Sequence, residues 1–234
     1  MNRKEVMLMP KIDVKGDVVD NTTAQIYDFF GMQSVNPEAI QNALNDANGA
    51  DIELDIASNG GDVFAASEIY TMLQQYNGNV TGVVQGLAAS AATIIAMAAD
   101  KLVMSPASQL MIHRGSETAD GNTNDLSHEA SVMSGIDQTI ASVYQAKTGM
   151  SQDDILKIMD NETWLTAKDA VDQGFADEIL AVDKAQPVFT NSIASLPSKD
   201  AVNKFLNLIK KPKVAVPKHS DIFMSKLDIL KGDK

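Results

Sequence analysis

Two transitions from a strand to a helix through turns of small residues constrain the fold of this chain more than any other feature. In the first, residues 51–56 alternate polar and apolar side chains, which predicts a strand, and they lead through Ser58-Asn59-Gly60-Gly61 into a helix predicted over 63–75. In the second, a strand predicted over 80–84 leads into an alanine-rich helix predicted over 88–99. Strands that alternate with helices across short turns predict an α/β fold.

The other segments of the first 182 residues continue this alternation. Capping residues such as Ser151 and Thr166 mark the predicted helix starts. Further strands are predicted over 11–14, 102–104 and 109–112, helices over 22–30, 37–48, 125–147, 152–159 and 167–173, and an exposed loop over 115–124.

Charge divides the chain near residue 182. Residues 1–182 hold 9 basic and 26 acidic side chains, a net −17, whereas residues 183–234 hold 10 and 5, a net +5. The second part also contains four of the seven prolines. We therefore expect a folded domain over 1–182 and a basic, proline-containing, partly flexible C-terminal extension over 183–234. The formal charge of −12 for the whole chain argues against nucleic acid as a general partner.

The composition also limits the chemistry and the location of the protein. The chain has no cysteine, which excludes disulfides, thiolate metal sites and a cysteine nucleophile. Neither a metal-binding spacing of histidines and carboxylates nor a phosphate-binding loop occurs, so we expect no metal and no cofactor. The longest weakly polar window, 83–99, is shorter than the roughly 20 apolar residues of a membrane span. We expect a cytoplasmic protein without a membrane partner.

Ser90 is the candidate nucleophile. It lies in the second turn among side chains too small to cover it, near the predicted start of a helix, where the helix dipole favours developing negative charge. The alternative from the turn alone is that Ser90 caps the helix or packs against its small neighbours. The glycine pair Gly60-Gly61 could also present backbone N–H groups to a ligand.

A serine nucleophile needs a base, and the chain has three histidines. His113 ends an apolar strand and opens a loop, which places an imidazole at the edge of a rigid element. His128 lies in a polar helix and His219 in the basic extension. The third member of a triad would be a carboxylate that orients the imidazole, and Asp160 and Glu162 are both candidates because they precede the helix that Thr166 caps.

Four segments together resemble the ClpP family of serine peptidases. They are ASNGGDVFAASEIY (57–70), VVQGLAASAATIIAMAADKLVM (83–104), LMIHRG (110–115) and ETWLTAKDAVDQGFADEIL (162–180). The resemblance covers roughly residues 10–182, and it is greatest to the phage and prophage branch described as head maturation proteases.

The resemblance implies a role for each matching residue. It implies Ser90 as nucleophile, His113 as general base, and the N–H groups of Gly61 and Ala91 as the oxyanion hole. Aligned without gaps, Glu162 takes the position of the family's aspartate, and a shift of two residues would place Asp160 there instead. We favour Glu162, since a carboxylate of either length can orient a histidine.

The resemblance also implies an architecture and partners. It predicts a spiral of β-β-α units of the ClpP/crotonase type with a protruding helix near 125–147, and a homo-oligomeric ring, commonly seven-fold and stacked. It implies a serine endopeptidase that acts on protein or peptide substrates, with a capsid or scaffold protein as the substrate of the phage branch. The sequence has no clear sign of the features through which ClpP engages an ATP-driven unfoldase, so dependence on such a partner is not implied.

Two other functions are compatible with such a fold. A crotonase-like acyl-CoA hydratase or isomerase shares the β-β-α core and an oxyanion hole of backbone N–H groups, but it would not require Ser90 and His113 together. A non-enzymatic ring component could retain the fold alone. Labelling of Ser90 by a fluorophosphonate would count against both alternatives.

Overall fold

The computed structural model describes residues 9–181, which form eight strands and seven helices. The strands are β1 (Lys11–Val18), β2 (Ser34–Val35), β3 (Ile52–Gly61), β4 (Val80–Ala89), β5 (Lys101–Met104), β6 (Gln109–Ile112), β7 (Thr163–Thr166) and β8 (Glu178–Ile179). The helices are α1 (Asn21–Phe30), α2 (Pro37–Ala47), α3 (Val63–Gln74), α4 (Ala91–Ala96), α5 (Thr123–Thr148), α6 (Gln152–Asp160) and α7 (Ala167–Asp172).

The strands form one sheet that branches at β4. The main path is β2-β1-β3-β4-β5-β8, with parallel pairing throughout. The first half of β4, residues 81–84, pairs with 101–104 of β5, and its last residues, 87–89, pair with 109–111 of β6. Strand β7 pairs with β6 in the antiparallel direction. The branch therefore places the end of β4 beside the end of β6.

The core lies between the sheet and helices α3 and α4. Ile52, Leu54 and Ile56 of β3 alternate along the strand and are fully buried, as the polar–apolar pattern predicts. All six residues of α4 are buried, and three of them are alanines. Because these side chains are small, α4 packs closely against β3. The predicted α/β fold is confirmed.

Strands β3 and β4 are longer than the sequence predicts. The predicted turn at Ser58-Asn59-Gly60-Gly61 is the last part of β3, where Gly60 and Gly61 pair with Asp17 and Val18 of β1. The second predicted turn is likewise part of β4, so the helix predicted over 88–99 begins only at Ala91 and ends at Ala96. These predictions were wrong because pairing with neighbouring strands extends both strands through residues that locally favour a turn.

Helix α5 matches the predicted protruding helix. It runs from Thr123 to Thr148, somewhat longer than predicted, because Asn122 caps its start in a capping box with Asp125. Its buried residues all lie in its second half, from Asp137 onward. Most of the first half of the helix is therefore exposed, although Met133 lies close to Gly115.

All these elements belong to the first of two units into which the chain divides, Met1–Val182 and Asp183–Lys234. The basic extension predicted over 183–234 lies outside the described residues. Within residues 9–181, no helix combines the length and the apolar character that a membrane crossing requires.

Candidate active site

Ser90 occupies a strained turn between β4 and α4. Its φ of 52° and ψ of −124° are unusual for a residue with a side chain. The turn is held because the Ser90 N–H donates to the Met111 carbonyl at 2.9 Å, and the Ser90 carbonyl accepts from the Thr93 N–H at 2.9 Å. A sharp, strained turn from a strand into a helix is also how α/β-hydrolases expose their nucleophilic serine.

His113 lies directly against Ser90. It follows β6, which pairs with the last residues of β4, and its Nε2 is 2.7 Å from the Ser90 Oγ. At this distance a neutral imidazole can accept the hydroxyl proton as a general base. Of the other two histidines, His128 is exposed on α5 and His219 lies outside the described residues.

The glycine pair of β3 comes close to this turn. A Cβ added to Gly60 would lie 2.5 Å from the Ala89 carbonyl oxygen and 2.8 Å from the Ala91 nitrogen. A Cβ added to Gly61 would lie 2.2 Å from the Val18 carbonyl oxygen. Both glycines also have positive φ, 92° and 146°. Only glycine therefore allows the end of β3 to approach Ser90 and Ala91 so closely.

Neither candidate acid has a hydrogen bond to His113 in the described structure. Asp160 ends α6 and pairs with the Arg114 guanidinium, which lowers the pKa of the Asp160 carboxyl. Glu162 is exposed, and its Oε1 accepts from the Trp164 Nε1–H at 3.4 Å. The structure therefore brings Ser90 and His113 together, but neither candidate acid contacts His113.

The strand register nevertheless relates Glu162 to His113. The antiparallel ladder of β6 with β7 ends at the pair Ile112 with Thr163, and His113 and Glu162 are the residues next to this last pair on the two strands. Asp160 is two residues farther from the end of this ladder and is held by Arg114, so the register favours Glu162 of the two candidate acids.

A buried aspartate that the sequence analysis missed holds the segment after His113. Asp137 of α5 is only 5% exposed, and its two carboxylate oxygens accept from the Gly115 N–H and from Arg114 Nη1, each at 2.9 Å. The carboxylates of Asp160 and Asp137, which both pair with Arg114, raise the pKa of its guanidinium. A signal was present in the sequence, because Asp137 shares one helix face with Ile140, Ala141 and Tyr144.

Tyr144 supports the turn at Ser90 from the same helix. Its hydroxyl and the Thr93 Oγ1 are 2.5 Å apart and share a hydrogen bond, and the Thr93 hydroxyl also donates to the Ser90 carbonyl at 2.5 Å. Burial raises the pKa of Tyr144 to about 12, against a smaller opposing effect of the bond to Thr93.

We expect Tyr144 to make the folded state sensitive to alkaline pH. In the unfolded chain a tyrosine loses its proton near pH 10, while the folded Tyr144 retains it up to about pH 12, so the stability decreases across this interval. The loss reaches about 2 kcal/mol in the free energy of unfolding at pH 12. Urea unfolding between pH 9 and pH 12 should show this loss in the wild type and a smaller one in Tyr144→Phe. Equal pH dependence in both proteins would contradict the expectation.

Within residues 9–181, no group of three or more histidine, aspartate or glutamate side chains is arranged to hold a metal ion. An open cavity of about 420 Å³ borders the glycine pair and is lined by Asp17, Asp20, Tyr27 and Asp62 among others. Asp20 and Asp62 cap helices α1 and α3, and Asp17 accepts from the Tyr27 hydroxyl at 2.8 Å. The cavity therefore offers space beside the site, but its carboxylates have structural partners.

The chain is similar to known proteases in sequence. The family model described as Clp protease matches residues 38–183. The ATP-dependent Clp protease proteolytic subunit of Deinococcus radiodurans is 28% identical over 179 residues, which cover 76% of this chain and 81% of that protein. The ATP-dependent Clp protease proteolytic subunit 1 of Chlamydia abortus is 35% identical over 129 residues, covering 53% and 67%.

A solved structure, a point mutant of ClpP1 from Listeria monocytogenes, has a similar fold. It superimposes with a TM-score of 0.61 at 23% sequence identity, and the match covers 74% of this chain and 92% of that one. The predicted ClpP-type fold is thereby confirmed.

Proposed function

The chain belongs to the Clp protease family of serine peptidases, and on that premise we propose that it hydrolyses peptide bonds through an acyl-enzyme formed on Ser90. The observation that carries this proposal is the contact of 2.7 Å between the Ser90 Oγ and the His113 Nε2 at a strained turn. Two side chains that distant parts of the chain bring together in this way have the geometry of a nucleophile and its base.

The proposed reaction has two steps. His113 Nε2 takes the proton from the Ser90 hydroxyl as Oγ attacks the substrate carbonyl carbon, and the N–H groups of Gly61 and Ala91 stabilise the resulting oxyanion. His113 then gives the proton to the leaving amine, which breaks the peptide bond and leaves the acyl group on Ser90. In the second step His113 activates a water molecule, which releases the acid and restores the serine.

A hydratase or isomerase of the crotonase type is not favoured. The match to the Clp protease family model covers residues 38–183, and the segments containing Ser90, His113 and Glu162 all lie within it. That alternative also gives no reason for a serine and a histidine to be in contact. Membership of a peptidase family equally disfavours a non-enzymatic ring component.

The peptidase activity can be tested with a fluorogenic peptide and a fluorophosphonate. We expect the wild type to hydrolyse the peptide, and we expect inhibition to be complete when one probe molecule has bound per active subunit. Hydrolysis that continues at its full rate after saturation with the probe would contradict a serine mechanism.

The resemblance of the four matching segments to the phage and prophage branch supports a finer proposal. We propose that the protein acts in head assembly, where it would cut a capsid or scaffold protein. The test is co-expression with capsid and scaffold proteins from the same genome, with Ser90→Ala as the matched control. A shortened product that requires Ser90 supports this role, and identical full-length proteins in both cultures would contradict it.

We also propose that the subunits assemble into a ring, as ClpP family members do. Exposed apolar side chains on α1 support an interface there, since Ile26, Phe29 and Phe30 are 55%, 83% and 67% exposed. Native mass spectrometry should show a closed multiple of the 25.1 kDa subunit, with seven or fourteen copies expected. A protein that is monomeric at the concentrations where it is active would overturn this proposal.

A further inference from the structure

Asp137 is a buried carboxylate that the proposed reaction does not use. It lies in the middle of α5 with a side chain that is 7% exposed, and it is among the few buried polar residues of the described chain. Both of its oxygens have partners on one short segment, because one accepts from the Gly115 N–H and the other from the Arg114 guanidinium. Removing a carboxylate from water costs free energy, and the two contacts of Asp137 offset that cost. The role of these contacts therefore needs an explanation.

The segment that Asp137 holds begins immediately after the candidate base. Strand β6 ends at Ile112, and residues 113–122 belong to no helix or strand. His113 is thus anchored on its N-terminal side by the sheet, and on its C-terminal side by the bonds of Arg114 and Gly115 to Asp137. A Cβ added to Gly115 would lie 3.0 Å from the Met133 Cε, so the segment also packs closely against α5.

From these contacts we infer that Asp137 is a positioning residue, which holds His113 in line with Ser90 through Arg114 and Gly115. This inference rests on the proposed peptidase function. Asp137 would touch neither the substrate nor the reacting atoms. Its effect would be to keep the imidazole within hydrogen-bonding distance of the hydroxyl during the proton transfers, where a displacement of about 1 Å can cost roughly 100-fold in rate.

Asp137, rather than Asp160, is the partner of Arg114 that should hold His113 in position. Asp160 also pairs with Arg114, but its side chain is 52% exposed, and exposed ion pairs contribute little. Asp137 is buried and holds a backbone N–H in addition to the guanidinium, so it fixes the course of the main chain as well as a side chain.

The experiment compares Asp137→Ala and Asp137→Asn with the control Asp153→Asn, an exposed aspartate of α6. We expect kcat for a fluorogenic peptide to fall by roughly 30- to 100-fold in Asp137→Ala. The asparagine keeps an acceptor for the Gly115 N–H, so Asp137→Asn should recover part of this loss. KM should stay within about twofold, and the rate of Ser90 labelling by a fluorophosphonate should fall in parallel with kcat. Asp153→Asn should match the wild type.

Full kcat and a full labelling rate in folded Asp137→Ala would overturn the inference, as would a loss confined to KM. Circular dichroism and thermal unfolding establish that each variant is folded at the assay temperature. If Asp137→Ala does not fold, Asp137→Asn tests the inference instead. A positioning role then requires that kcat of Asp137→Asn fall by about tenfold. The proposed function fails separately, if Ser90→Ala retains wild-type turnover.

Discussion

Replacing Ser90 by alanine should reduce peptide hydrolysis by roughly 10⁴-fold or more, to the limit of detection of the assay. Removal of the nucleophile from a serine peptidase leaves only the small acceleration due to binding and the oxyanion hole. The loss should appear in kcat, while the affinity for a peptide inhibitor should change little.

The fold should tolerate this substitution. The bonds that hold the turn use the backbone N–H and carbonyl of Ser90, and an alanine retains both. An unchanged unfolding temperature and an unchanged oligomer would show that the loss is chemical. The matched control is Ser134→Ala, which removes an exposed hydroxyl from α5 and should not change the rate. Turnover at the wild-type rate in Ser90→Ala would exclude the proposed mechanism.

The second large effect distinguishes the two candidate acids. We expect Glu162→Gln to lower kcat by roughly 100-fold or more, because loss of the orienting carboxylate leaves the histidine free to adopt an unproductive tautomer. Asp160→Asn should lower it by less than about threefold, since Asp160 forms only an exposed pair with Arg114, and Asp137 continues to hold that side chain.

Glu162→Asp provides the matched control for the carboxylate itself. Its acid is one methylene shorter, so partial activity is expected where Glu162→Gln has almost none. The reverse result, with Asp160→Asn strongly impaired and Glu162→Gln fully active, would assign the triad position to Asp160. It would also mean that the pair between Asp160 and Arg114 opens in the active enzyme.

The α/β fold and the candidate pair Ser90 and His113 could be predicted from sequence because both leave local signals. Alternation along 51–56 marks a strand with one buried face, and small residues around Ser90 mark a turn that exposes its side chain. The position of His113 at the end of an apolar strand was equally visible. That the two side chains touch depends on the pairing of β4 with β6, which no local pattern predicts.

Other features depend on contacts between distant residues. Gly60 and Gly61 favour a turn locally, yet pairing with β1 keeps them in a strand, and the resulting close approach to Ala89 and Ala91 is evident only in three dimensions. Asp137 binds Arg114 and Gly115, from which it is separated by 23 and 22 positions in the sequence. The support that the register of β6 with β7 adds to Glu162 over Asp160 likewise comes from pairing between distant residues.

The most direct test of the account is to label the wild-type protein with a fluorophosphonate and to locate the adduct by peptide mass spectrometry. We predict a single adduct on Ser90, lost in Ser90→Ala and formed much more slowly in His113→Ala. An active wild-type enzyme that carries the adduct on another residue, or that remains unlabelled while it hydrolyses peptides, would contradict the assignment of Ser90 and His113.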